Sequence, residues 1–250
     1  MKKMRNYLSF GGGVNSVAMM LMLLDQGVEF EAIFADHETD WPETYDYLEM
    51  FQGWLKDHGR KQITVLKAHH KIIKTGEVFD SLYDFCLSRK MVPSFMNRWC
   101  THKFKIVALK RYVKPPCFQF LGIDAGESHR AKLKAFKGVE NRFPLIEANV
   151  NRAECKKIIT DHGLPVPMKS GCYICPYQRR TQWIELRHKH PCLFKKAVDL
   201  EQINIESRIE RGKAPLYLSQ SYKGTLPNVV EETQAQIFEE DEYPPCNCGL

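Results

Sequence analysis

The first part of this chain alternates short β-rich runs with helical patterns. Residues 6–10 are a short β-rich run that ends in three glycines. Residues 16 to about 26 follow, apolar on nearly every side and closed by Gly27, the pattern of a helix that must lie against a sheet. Residues 29–35 read as a second strand. Pro42 opens a helix over 43 to about 56, with Tyr45, Leu48, Phe51, Trp54 and Leu55 on one face. Residues 62–66 form a third strand, and 67–98 are less regular. Residues 101–113 read as a basic amphipathic helix, 117–123 as a buried strand, 143–146 as a shorter strand and 152–162 as a helix. Strands alternating with helices imply right-handed crossovers, hence a parallel sheet covered on both faces. The predicted fold class is therefore α/β, a three-layer sandwich with about five mostly parallel strands. From Leu164 the texture changes. Pro165, Pro167 and Pro176 surround a cysteine pair, and helical patterns follow at 179–188 and 193–201. The predicted division is an α/β domain over 1–163, a helical, cysteine-bearing subdomain over 164–230 and an acidic, flexible tail over 231–250.

Composition narrows the class. The chain has 250 residues, 44% hydrophobic and 26% charged, which excludes wholesale disorder. No apolar run approaches the roughly 18 residues of a membrane span, and the basic start lacks a small-residue cleavage site, so the expectation is a soluble, cytoplasmic protein with no membrane partner. Residues 231–242 hold six acidic and no basic residues, which leaves 36 basic against 24 acidic, a net +12, for residues 1–230. That excess suits a solvated face, or an anionic partner such as a nucleotide, tRNA or DNA. Nine cysteines without a secretion signal suggest reduced thiols and metal or redox chemistry.

The segment Ser9-Phe10-Gly11-Gly12-Gly13-Val14-Asn15-Ser16 carries the most chemistry. Glycines between a strand and a helix let the backbone approach a ligand closely, and the helix start presents unpaired N–H groups suited to phosphate. Ser16 adds a hydroxyl donor. The plain alternative is a tight turn capped by Asn15 or Ser16. Neither G-x-G-x-x-G nor the lysine-bearing P-loop fits.

These residues resemble the Ser-Gly-Gly-x-Asp-Ser loop of PP-loop nucleotide enzymes, and within them the phosphoadenosine-phosphosulfate (PAPS) reductase branch with its phage-borne relatives. Further segments resemble that branch in order: Phe34-Ala-Asp36 with Glu38 to Thr44; Arg98-Trp-Cys100-Thr101 with Lys103 and Lys105; Leu121-Gly122-Ile123 with Glu127-Ser128-His129-Arg130; and Ser170-Gly-Cys172-Tyr-Ile-Cys175-Pro176 with Trp183. The resemblance implies an adenine nucleotide alpha hydrolase-like fold that takes ATP or PAPS, with magnesium where ATP is cleaved. It places the nucleotide on Ser9, Gly11, Gly12, Gly13, Asn15, Ser16, Asp36 and Ser128, and gives Arg130 the anionic group of the substrate. Gly11 and Asn15 depart from the family's serine and aspartate, and the lost carboxylate bears on ATP cleavage.

Cys172-x-x-Cys175 places two thiolates on one tight loop, the bite of a zinc ion or an iron–sulfur cluster. Cys100 opens a helix, whose dipole should lower its pKa. The resemblance makes it a partner of the pair, and Cys192 is the candidate fourth ligand, with His102 or a tail cysteine as alternatives. Spacing leaves zinc against [4Fe-4S] open, and a metal-free redox pair or buried structural thiols are rivals. The terminal Cys248-Gly249-Leu250 resembles the segment that carries the nucleophilic cysteine of sulfonucleotide reductases. Cys248 would attack activated sulfur, Cys246 would release it, and a thioredoxin-like partner would supply electrons. The leading expectation is sulfonucleotide reduction. Alternatives are ATP-dependent adenylation with sulfur transfer or another modification of tRNA or DNA, and a non-catalytic nucleotide- or nucleic-acid-binding protein.

Overall fold

The computed structural model describes residues 4–132, 135–222 and 224–231. The first crossover runs from β1 (Arg5–Phe10) through α1 (Val14–Asp25) to β2 (Glu31–Asp36). Next come α2 (Pro42–Asp57) and β3 (Thr64–Lys67), then a small hairpin of β4 (His70–Lys71) and β5 (Val78–Phe79), and α3 (Leu82–Ser88). The basic helix is continuous from α4 (Trp99–Thr101) through a wider π-type stretch, His102–Ile106, into α5 (Val107–Tyr112). After β6 (Cys117–Leu121) and the 3₁₀ stretch Ala125–Lys132 come β7 (Val139–Arg142), α6 (Pro144–Glu147) and α7 (Arg152–Asp161). The C-terminal part contains α8 (Arg180–Lys189), α9 (Pro191–Glu210) and α10 (Leu226–Glu231). No helix among the described residues is long and apolar enough to cross a membrane.

The sheet has five strands in the order β3-β2-β1-β6-β7, and every neighbouring pair is parallel. Successive side chains of a strand face opposite sides. Leu8, Phe10, Ala32, Phe34 and Phe120 accordingly pack with α1, α2 and α7 on one face. Tyr7, Ile33, Cys117 and Val139 pack with Leu109 and Val113 on the other. Helix α1 sits between sheet and outer helices, which is why it is apolar all round. A third cluster joins Trp41, Leu82, Phe85 and Phe104 to Trp183, Leu186, Leu200 and Leu226. Through it the C-terminal helices share a core with residues 41–104.

The expectation of a strand at 143–146 is corrected. Pro144 occupies the first helical position, Ile146 N–H bonds back to Phe143 O at 3.0 Å, and the segment is a helical turn. The fifth strand lies just before it, with Val139 opposite Cys117. Apolar content at 143–146 gave the wrong signal because a polar edge strand carries little of it. Helix α9 also runs well past residue 201. There Glu201 is 1% exposed and accepts from Leu218 N–H and Leu226 N–H, both at 2.7 Å. Burial raises its carboxyl above the ordinary range, against the pull of those donors. Glu201→Ala strands two buried N–H groups and should cost about 2–4 kcal/mol in denaturant unfolding, whereas Glu201→Gln, which keeps one acceptor, should cost less.

Candidate functional site

Open α/β sheets bind ligands where the strand order reverses, outside the carboxyl ends of the strands. Here the chain moves outward from β1 to β2 and β3, then returns to the other side of β1 as β6. The crevice is therefore set by the β1–α1 loop and the segment after β6. Gly12 has φ +71°, and a Cβ there would lie 2.8 Å from Thr44 Cγ2. A Cβ on Gly122 would meet Ser16 N at 3.0 Å and Asn15 C at 3.1 Å, so only glycine lets β6 come this close to the first turn of α1. The first helical bond is Val17 N–H to Gly13 O at 3.1 Å. Val14, Asn15 and Ser16 are thus the orphan donors of an α-helix start, gathered at the sheet's carboxyl edge.

The side chains expected to bind are largely engaged elsewhere. Ser9 Oγ accepts from Gln119 Nε2 at 2.8 Å, and Ser16 Oγ donates to Gly13 O at 2.9 Å. Asn15 is 9% exposed; its Nδ2 donates to Asp124 Oδ2 at 2.8 Å and its Oδ1 accepts from Arg152 Nη1 at 2.7 Å. The loop itself lacks a carboxylate, yet Asp124 sets one, 4% exposed, directly beside it. Asp36, at the end of β2, accepts from Glu38 N–H at 2.8 Å and Tyr45 O–H at 2.9 Å, with Lys67 Nζ at 3.4 Å. Burial and the neighbouring carboxylates of Asp40 and Asp36 push the Tyr45 phenol far up, so it remains a donor. Arg130 is paired with Glu127 within the 3₁₀ stretch, and Ser128 is exposed beside it.

A second feature abuts the loop. A Cβ on Gly13 would lie 2.7 Å from Ser170 Oγ, and one residue, Gly171, separates Ser170 from Cys172, a span of at most about 7 Å of chain. The segment is held by Trp41 N–H to Gly171 O and Tyr173 N–H to Thr39 O, both at 3.0 Å, with Asp40 bridged to Cys172. Behind it is a cleft of about 30 Å³ lined by His37, Arg98, Cys100, Lys105, Cys172 and Cys175 among others. Three of the four expected ligand cysteines therefore line one space. Cys192 is exposed on the first turn of α9 and does not line it. Cys86, Cys117 and Cys155 are buried, and burial raises the Cys155 thiol to about 12. Cys246 and Cys248 lie outside the described residues.

The expected lowering of the Cys100 pKa is corrected. Burial raises it, outweighing hydrogen bonds from Thr101 and the charges of Lys105 and Arg98. Sequence reasoning missed His37 and Asp40, 1% and 4% exposed; His37 lines the same cleft, and Asp40 Oδ1 lies 3.4 Å behind its Nε2. Burial lowers the imidazole pKa of His37 despite Asp40. Burial opposes ionisation of Asp40, but His37 and Lys105 pull its carboxyl below the ordinary range. The legible signal was a histidine and an aspartate three apart immediately after a strand end.

No family model matches the chain. It is 24% identical over 221 residues to an uncharacterized protein of Methanocaldococcus jannaschii, a match that takes in 80% of this chain and 49% of the archaeal protein. The chain thus spans about half the length of that curated relative. Among solved structures it is similar to a phosphoadenylyl-sulfate (PAPS) reductase from Candida auris, determined as a phosphate complex. The identity is 18%, the match covers 66% of this chain and 76% of that one, and the TM-score is 0.46.

Proposed function

We propose that this protein is a nucleotide-utilising enzyme of the PP-loop type that carries out sulfur chemistry on an adenine nucleotide. The observation that carries the reading is the helix start of α1, whose orphan amides sit at the β1–β6 reversal point of the sheet with a thiol-lined cleft alongside. Phosphate oxygens accept from the amides of residues 14–16. Arg130 and Ser128, on the segment after β6, hold the distal anionic group.

In sulfonucleotide reduction a thiolate attacks the sulfate sulfur, the sulfur–oxygen bond to phosphate breaks, and adenosine bisphosphate leaves with that oxygen. A second thiol then attacks the resulting thiosulfonate, expelling sulfite and leaving a disulfide that a thioredoxin-like dithiol reduces. Cys248 and Cys246 are the thiols assigned by resemblance. A second reading, ATP-dependent adenylation followed by sulfur transfer to tRNA or DNA, is favoured by Asp124, which returns a carboxylate to the loop.

Turnover separates the two. With PAPS and a dithiol, sulfite release that is lost in Cys248→Ser supports reduction; pyrophosphate release from ATP, retained in that variant, supports adenylation; neither product from a folded sample contradicts both. Arg98 offers a further check, because its Nη2 is buried without a hydrogen-bond partner and the residue lines the cleft with a left-handed backbone at φ +39°. If it holds substrate anion, Arg98→Ala should lower kcat/KM about tenfold or more, with Arg98→Lys recovering only part of it.

A further inference from the structure

Asp40 presents an electrostatic problem. Its side chain is 1% exposed, and neither carboxylate oxygen receives an N–H or O–H donor; the Cys172 thiol is the hydrogen-bonding group that reaches it. A buried carboxylate in that state is costly unless a cation compensates it. Lys105 Nζ stands 4.0 Å from Oδ2, beyond hydrogen-bond reach, while Oδ1 faces His37 Nε2 at 3.4 Å. His37 Nε2 in turn lies 3.6 Å from Cys172 Sγ, and one ligand atom from each of the three residues lies within 4.8 Å of the others.

Those separations have a chemical meaning. Zinc bonds of about 2.0 Å to nitrogen or oxygen and 2.3 Å to sulfur, meeting at the tetrahedral angle, place N and O about 3.3 Å apart and N and S about 3.6 Å apart. The two observed edges match with no movement of the chain. The donor set, one imidazole, one carboxylate and one thiolate, suits a borderline ion and is wrong for magnesium or calcium, which take oxygen. It also does not suit a four-iron cluster, which needs four thiolates. Among the described residues, three cysteines line the cleft, and Cys192 does not.

We propose that His37 Nε2, an Asp40 carboxylate oxygen and Cys172 Sγ form a three-ligand seat for a divalent cation of the zinc class, its fourth position facing the cleft lined by Cys100 and Cys175. Three protein ligands and one open position are the arrangement of a zinc ion that meets a substrate rather than one that only braces a fold. The seat is assembled across the chain, since residues 39–41 and 171–173 are held side by side by backbone hydrogen bonds. It stands independently of the nucleotide reading.

The test is anaerobic titration of chelator-treated, folded protein with Co²⁺, read by visible absorption. One Co²⁺ per chain is expected, with intense tetrahedral d–d bands and a thiolate-to-metal charge-transfer band that Cys172→Ser removes. His37→Gln and Asp40→Asn should each weaken binding at least about tenfold, and Cys192→Ser should leave it unchanged. The two ligand variants are read separately after circular dichroism, so either one that folds decides the matter. Absence of Co²⁺ binding, or either folded variant binding as tightly as the parent, overturns the proposal. So does iron and inorganic sulfide in freshly purified protein that both variants retain.

Discussion

Gly122→Ala is expected to cost about 1–3 kcal/mol of stability and to weaken ATP or PAPS binding at least about tenfold. The added methyl would lie 3.0 Å from Ser16 N and 3.1 Å from Asn15 C and Ser16 Cα. All three are backbone atoms in the first turn of α1, so relief requires the turn itself to move, and with it the amides proposed to hold phosphate. Gly13 makes the contrast, because its nearest neighbour is the Ser170 hydroxyl, which can rotate away. Gly53→Ala is the control. It is an exposed helical glycine where an added methyl would have nothing within 4 Å, so alanine should be neutral or stabilising by up to about 1 kcal/mol without touching nucleotide affinity. Calorimetry with each nucleotide, alongside urea unfolding, reads both quantities.

Asn15→Asp should destabilise the protein by about 2–3 kcal/mol at neutral pH, although the family it resembles carries aspartate there. The introduced carboxylate would sit where Asn15 Nδ2 now donates to Asp124 Oδ2 at 2.8 Å, setting two buried negative charges against each other with Arg152 as the one nearby cation given by a hydrogen bond. In the folded variant one carboxyl therefore binds its proton more readily than in the unfolded chain. The deficit should accordingly shrink as pH falls toward the carboxylate range and return as pH rises. Adding Asp124→Asn should restore stability, because the amide gained at position 124 donates to the introduced carboxylate while Arg152 keeps its acceptor. Failure of the double variant to recover would show that the Asn15–Asp124–Arg152 arrangement is not what position 15 responds to.

Much of this architecture was legible because it is written in local pattern. Short β-rich runs located strands, an all-round apolar segment located α1, and Gly11 to Gly13 marked the turn between them. The segment at 143–146 misled because its apolar residues follow a helix-starting proline, while the true edge strand, Val139–Arg142, is mostly polar. The hydrogen bonds that occupy Ser9 and Asn15 were not readable, since Gln119, Asp124 and Arg152 are more than a hundred residues away in sequence. His37 and Asp40 stand three apart just after a strand end, but their meaning depends on a contact 135 residues away. Their partner Cys172 arrives from the far side of the chain, and only that pairing gathers an imidazole, a carboxylate and a thiol at one place.

Backbone amide NMR on ¹⁵N-labelled protein addresses the phosphate seat without recourse to turnover. Titration with ATP, and separately with PAPS, should shift the amides of Val14, Asn15 and Ser16 most, with Gly12, Gly13 and Gly122 close behind, and Gly122→Ala should suppress those shifts. Saturable binding that leaves residues 12–16 unmoved, or no binding by protein whose spectrum is folded, would contradict a nucleotide site at the start of α1.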